Sequence, residues 1–193
     1  MVLAGGEKKE SLFTNDVERF LLSFTMNPLV AAKPNNWVNY IDSLKAVDIL
    51  FPKKPAIDRL KYNETDKGFE STTYTAIDMS NSTYYLLAVN DTKKGYVITS
   101  DSLFFASKLD YYKQNNATVS DIRKFRYEDN PAMSFSAQVK KEGLDFAAKA
   151  LAICRGNRSY FIIAVTTKGK EDYPDITGFF RSFKLIPFKE AVW

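Results

Sequence analysis

The side chains of this chain that could do chemistry are carboxylates, tyrosines, lysines and one thiol, because its 193 residues include no histidine. The commonest general base near neutral pH and the commonest metal ligand are therefore missing. Ser-His-Asp and Cys-His mechanisms are excluded within the chain. Cys154 is the single cysteine, so it forms no intrachain disulfide and no thiolate cluster. Set on an apolar stretch without a histidine to activate it, it reads as a buried, inert thiol.

The carboxylates concentrate at Asp58, Glu64, Asp66 and Glu70 in "DRLKYNETDKGFE", and at Glu128 and Asp129 ahead of Pro131. A calcium loop needs oxygen ligands at regular spacing around a tight glycine turn. These positions lack that spacing, and a solvated loop is the expected outcome. A glycosidase would need two carboxylates facing each other across a cleft, which no local pattern here specifies. Lys149 lies in the apolar run "DFAAKALAIC". Such a lysine is either desolvated and reactive or, more ordinarily, extends its amine to the edge of the sheet. No GxGxxG or GxxxxGK phosphate loop occurs.

Aromatic residues offer the other chemistry. Trp37, Tyr40, Tyr84, Tyr85, Tyr111 and Tyr112 could form a platform for sugars or peptides, although core filling accounts for most of them. Trp37, Tyr40, Tyr84 and Tyr111 are the candidate ligand or partner surface. No catalytic, cofactor-binding or metal-ligating residue is expected, and no cofactor.

The composition suits a folded, globular chain: 45% hydrophobic, 15% aromatic and 26% charged. No run approaches the roughly 18 apolar residues of a membrane-spanning helix. The net charge of +4 comes from basic residues scattered in pairs such as Lys53-Lys54 and Lys93-Lys94. A nucleic-acid reader would gather them on one face, so no nucleic-acid partner is expected. Five Asn-x-Ser/Thr sequons, at Asn63, Asn81, Asn90, Asn116 and Asn157, reflect a composition rich in Asn. "MVLAGGEKKE" has no apolar signal core.

The elements that must position these groups follow from periodicity. "DVERFLLSFTMNP", Asp16 to Pro28, recurs without a gap as "DITGFFRSFKLIP", Asp175 to Pro187, with five identities in thirteen positions. Val17, Phe20, Leu21 and Phe24, like Ile176, Phe179, Phe180 and Phe183, have the spacing of one apolar helical face. Asn15 or Asp16 in the first, and Asp175 in the second, are placed to cap these helices. "MVLAG" also aligns with "FIIAV" upstream of the second copy. Residues 1–28 thus look like the closing strand and helix of a preceding repeat, followed by a linker over 29–36, a complete domain over 37–187 and a tail over 188–193.

Within that domain, "AVDILFP" and "ESTTYTAIDMS" read as strands. "TYYLLAVNDTKKGYVITS" reads as two strands with a tight turn at Asp91 to Gly95. Ser100 or Asp101 caps a helix bearing Phe105, Leu109 and Tyr112 on one face. "SDIRKFRYE", "AMSFSAQVKK", "LDFAAKALAIC" and "SYFIIAVTT" are further strands, the last two joined across "RGNR". The small residues Ala148, Ala150 and Ala152 mark one face of a central strand, covered on both sides. A short helix from Asp175 and a brief strand at Lys184 to Ile186 close the order.

That order, with "ILFPKKP", "NPAMSF", "RGNRSYFIIAV" and "FFRSFKL", resembles bacterial envelope and lipoprotein domains of unknown function with a PsbP-like fold. The resemblance implies an α+β architecture: a twisted, largely antiparallel sheet of about six to eight strands flanked by helices as an α/β/α sandwich. It implies no catalytic residues, and it implies the bacterial cell envelope or periplasm. The expected function is a non-catalytic structural or interaction module, one repeat of a larger protein, with a neighbouring repeat or protein as partner. Residues 1–28 could also exchange between chains as a domain swap. The competing reading is a hydrolase or small-ligand domain using Asp, Glu, Tyr or Lys at the sheet end.

Overall fold

The computed structural model describes residues 36–62, 69–92, 101–141 and 143–187. The segment 1–28, most of the 29–36 linker, the 188–193 tail, Glu64 and Asp66 lie outside them. Five strands, β1 (Val38–Asp42), β2 (Val47–Phe51), β3 (Ala56–Tyr62), β4 (Phe69–Asp78) and β5 (Thr83–Thr92), precede helix α1 (Asp101–Gln114). Then come β6 (Thr118–Tyr127), β7 (Asn130–Lys141), β8 (Leu144–Arg155), β9 (Arg158–Thr167), helix α2 (Pro174–Ser182) and β10 (Lys184–Leu185).

Seven strands form one antiparallel sheet in the order β3-β4-β5-β9-β8-β7-β6, and β1-β2-β10 form a second, smaller one. The fold is α+β. The centre is β9 and β8, whose long apolar runs are buried on both faces. Such strands need cover from two layers. On one face α1 supplies it: Phe104, Phe105 and Tyr112 pack with Phe135, Ala148, Ala150, Ala152 and Phe161. On the other, α2 and the small sheet do so, through Val47, Ile49, Phe51, Ile176, Phe179 and Phe183 against Tyr85, Leu87, Leu151, Ile153 and Ile162.

Several local expectations change. β1 and β3 are additional strands, so Asp58 is strand rather than loop, and Glu70 belongs to β4. Asp91 is also a strand residue, paired with Glu70 on one side and Arg158 on the other. The β8–β9 turn uses positive φ at Gly156 alone, +62°, where a β-carbon would be strained. Asn157 instead fastens the neighbouring strand: Thr92 N and Oγ1 donate to its carbonyl at 2.9 and 2.8 Å, and its Nδ2 donates to Thr92 O at 3.1 Å. The cap of α2 is Tyr173 with Pro174 following, and Asp175 sits in the first turn. Proline's missing N–H costs nothing there, and the carboxylate still meets the positive end of the helix dipole.

Edge strand β6 carries a register shift between Ser120 and Arg123, with Asp121 at φ +50°. A bulge in an exposed, charged edge discourages pairing with another sheet.

Candidate functional site

The four candidate aromatics do not converge. Trp37 is buried with its ring 5.2 Å from Tyr85, and Tyr40 is half-buried with its ring 5.3 Å from Tyr74, both on the small-sheet face. Tyr84 and Tyr111 belong to the α1 face, where Tyr111 lies 5.5 Å from Tyr112. Side chains of successive strand residues point to opposite faces, so Tyr84 and Tyr85 are separated by the sheet itself. The four candidates therefore fall two to each face of the sheet, and among the described residues they share no platform.

The charged groups that do converge are others. Lys45, in the turn between β1 and β2, donates from Nζ to Asp91 Oδ2 at 2.8 Å and to Glu70 Oε1 at 2.9 Å. Arg158 Nε donates to the other oxygen of Asp91. Asp91, Arg158 and Lys45 are buried, and Glu70 is only slightly exposed. Around them, Tyr160 donates to Lys45 O at 3.2 Å, and Asp42 accepts from Lys45 N at 3.0 Å and from Tyr74 OH at 2.7 Å. This network ties the β1–β2 turn to three strands of the large sheet. Sequence reasoning assigned Asp91 to a turn and passed over Lys45 and Arg158. The available signal was a charged residue at the end of each of two apolar strands meeting across one ladder.

Lys149 forms the second centre. It is 1% exposed on β8, paired with Ser136 of β7 and Ala164 of β9. Far from an edge, its amine reaches the loop before α2 and donates to Asp172 Oδ1 at 3.0 Å. Burial lowers its pKa, and the hydrogen bond and charge of Asp172 oppose that shift. Nearby, Ser136 Oγ donates to Asp121 Oδ2 at 2.9 Å.

Burial also shifts one thiol and several phenols. Burial pushes the Cys154 thiol up to about 12, so it stays protonated, as its apolar setting suggests. Burial likewise raises Tyr127 to about 12, and Tyr74, Tyr85 and Tyr112 well above the usual phenol range. Among the described residues, no group of three acidic or cysteine side chains could hold a metal ion. No described helix is long and apolar enough to cross a membrane.

Lys108, on α1, is shifted toward neutrality. Its amine lies 5.3 Å from the Phe104 ring centroid and 5.1 Å from that of Phe161, and burial lowers its pKa to about 8 from 10.5. The ring faces favour the cation and offset part of the burial cost. A base whose folded pKa is depressed leaves the unfolded chain holding more protons between the two values, so stability rises with pH from about 8 to 10.5. Lys108→Met should flatten that rise and stabilise the fold at neutral pH by about 1 kcal/mol. Urea melts of both proteins across that range would check it.

A central antiparallel sheet between α1 on one face and α2 with a small second sheet on the other defines this chain as a PsbP-like α+β domain. Its structure is similar to that of cyanobacterial PsbP (CyanoP) from Synechocystis, with a TM-score of 0.51 and 9% identity over 82% of this chain and 99% of that one. A Bacteroides thetaiotaomicron protein gives a TM-score of 0.47 at 9% identity, covering 77% of this chain and 48% of its own length. A Pseudomonas aeruginosa protein of unknown function gives 0.37 at 12% identity, covering 68% and 83%. No protein-family model and no curated protein matches the sequence.

Proposed function

We propose that the chain is a non-catalytic interaction module, one unit of a larger bacterial envelope-associated protein that contacts a neighbouring unit or a protein partner. The observation that carries this reading is the disposition of the buried charges. Lys45, Arg158 and Lys149 each donate to a carboxylate contributed by a different element. Buried charges committed in this way fasten elements together, and catalysis requires groups whose protonation is poised near the working pH. The recurrence of residues 16–28 at 175–187 supports the repeated unit, and the envelope assignment rests on the resemblance of "ILFPKKP" and "FFRSFKL" to envelope domains.

A thermal-shift screen with divalent metals, sugars and nucleotides, paired with assays on model esters, phosphates and glycosides, tests it. The expected result is no shift above about 1 °C, since binding at 100 times Kd would add roughly 2.7 kcal/mol, and no turnover. Turnover that falls at least tenfold in both Lys149→Met and Asp172→Ala would replace this reading with a hydrolase or small-ligand site at the sheet end.

A further inference from the structure

We propose that an extended segment of a protein partner adds as a strand to the free edge of β1, over the ledge that β3 forms, with an apolar side chain between Val38 and Ile57 and a carboxylate on Arg59. The inference rests on the reading of the chain as an interaction module, and it names the place and the chemistry of the contact.

It begins from the strand edges. The large sheet ends in β3 and β6, the small one in β1 and β10. β6 is interrupted by its bulge, where Ser120 and Ser136 both donate to Asp121. β10 is two residues long, and Arg155 donates to the carbonyl of Ile186 just after it at 2.9 Å. β3 carries exposed Asp58 and Arg59. Bulges, short length and charge are the ordinary devices that keep an edge from pairing. β1 has none of them. Its five residues pair with β2 in unbroken register and include no lysine or arginine. Its single charge, Asp42, is committed to Lys45 N and Tyr74 OH, and Val38 and Ile41 are exposed. Among the described residues, no strand pairs with its outer edge.

The surroundings leave room for one more strand. β1 runs over β4 and β5: the Trp37 ring packs on Tyr85 at one end, Tyr40 packs on Tyr74, and Tyr74 OH donates to Asp42 farther along. β3 stands one strand beyond β4, so the large sheet projects about 4.8 Å past β1. Val38 pairs with Phe51, whose ring faces the large sheet, and Ile57 pairs with Tyr74 on the opposing face. Cross-strand partners share a face, so Val38 and Ile57 both point into the space between the sheets. Each is nevertheless 41% exposed, because that space opens on this side. Arg59, two residues along β3, shares the face of Ile57. Its charge reaches the phenols of Tyr40 and Tyr74, and it makes no ion pair among the described residues.

A single strand fits this ledge and a second copy does not. Antiparallel pairing of β1 with its own copy sets the twofold axis perpendicular to the small sheet. Both large sheets then lie on one side, and their projecting β3 strands collide. Alternate side chains of an added strand point into the gap. Val38, Tyr40 and Ile57 select apolar residues there, and Arg59 selects a carboxylate. Main-chain bonds to β1 supply affinity, and these positions supply specificity.

The test pans the full chain against a phage library of random peptides about ten residues long, and the selected peptides are synthesised. They should alternate apolar residues with one Asp or Glu, bind with Kd below about 100 µM, and slow amide exchange at Val38 to Ile41. Val38→Lys and Ile57→Lys should each weaken binding about tenfold or more, while Leu103→Lys, at an exposed position of α1, leaves it unchanged. Arg59→Glu should turn the selection from acidic to basic peptides. All four positions are exposed, and circular dichroism checks that each variant folds. No peptide within that limit, unchanged affinity in Val38→Lys and Ile57→Lys, or protection at another edge overturns the proposal. A dimer in sedimentation that Val38→Lys dissolves overturns it in favour of a second copy. The module reading fails separately, by turnover of the model esters, phosphates or glycosides.

Discussion

Asp91→Ala should lower the unfolding free energy by about 3–5 kcal/mol, read from urea midpoints, because it removes the carboxylate shared by two buried cations. Asp91 accepts from Lys45 through one oxygen and from Arg158 through the other. Without it Lys45 keeps Glu70, 2.9 Å away at the rim, while the guanidinium loses the partner directly across its ladder. A domain of this size has only about 5–15 kcal/mol of total stability, so the loss is a large share of it. Charge removed as a set should behave differently. Lys45→Met, Asp91→Leu and Arg158→Leu together should cost less than Asp91→Ala alone, since no cation is then left buried without that carboxylate. A triple variant weaker than the single one would show that the network contributes net stability and is more than a device for aligning the β1–β2 turn.

Phe179→Ala should cost a similar 3–5 kcal/mol, for an apolar reason. Its ring is fully buried where three elements meet, 4.8 Å from Tyr85 of β5, 5.5 Å from Phe51 of β2 and 5.4 Å from Phe180 of its own helix. Removing it opens a void among aromatic rings that cannot collapse without moving α2 or the small sheet. Calorimetry and urea melts should show a lower midpoint with the denaturant slope unchanged. A loss under 1 kcal/mol would mean that α2 re-seats on the sheet and that this face is less closely packed than its burial indicates.

How much could be read beforehand follows from where each element finds its partners. β8, β9 and α2 were legible because their patterns are local and strong: apolar runs covered on two faces, and an i, i+3, i+4, i+7 stripe. β1 and β3 were not. They are edge strands with charged, exposed positions such as Asp58 and Arg59, and the charges that protect an edge make it read as a loop. Asp91 was hidden by its neighbours, since "NDT" has turn chemistry, and only pairing with Arg158 on a strand 67 residues away makes it ladder.

The candidate site shows the same division. The sequence by itself determined the inventory: no histidine, one inert thiol, a lysine in an apolar strand, and the apolar stripe of α2. Tertiary structure decided which of these meet. Lys149 finds Asp172 in a loop 23 residues later, Lys45 finds Asp91 across two sheets, and Trp37 and Tyr84 end on opposite faces. Burial and ion pairing depend on strand order and register, and those are set by contacts between residues far apart in the chain, which no local spacing encodes.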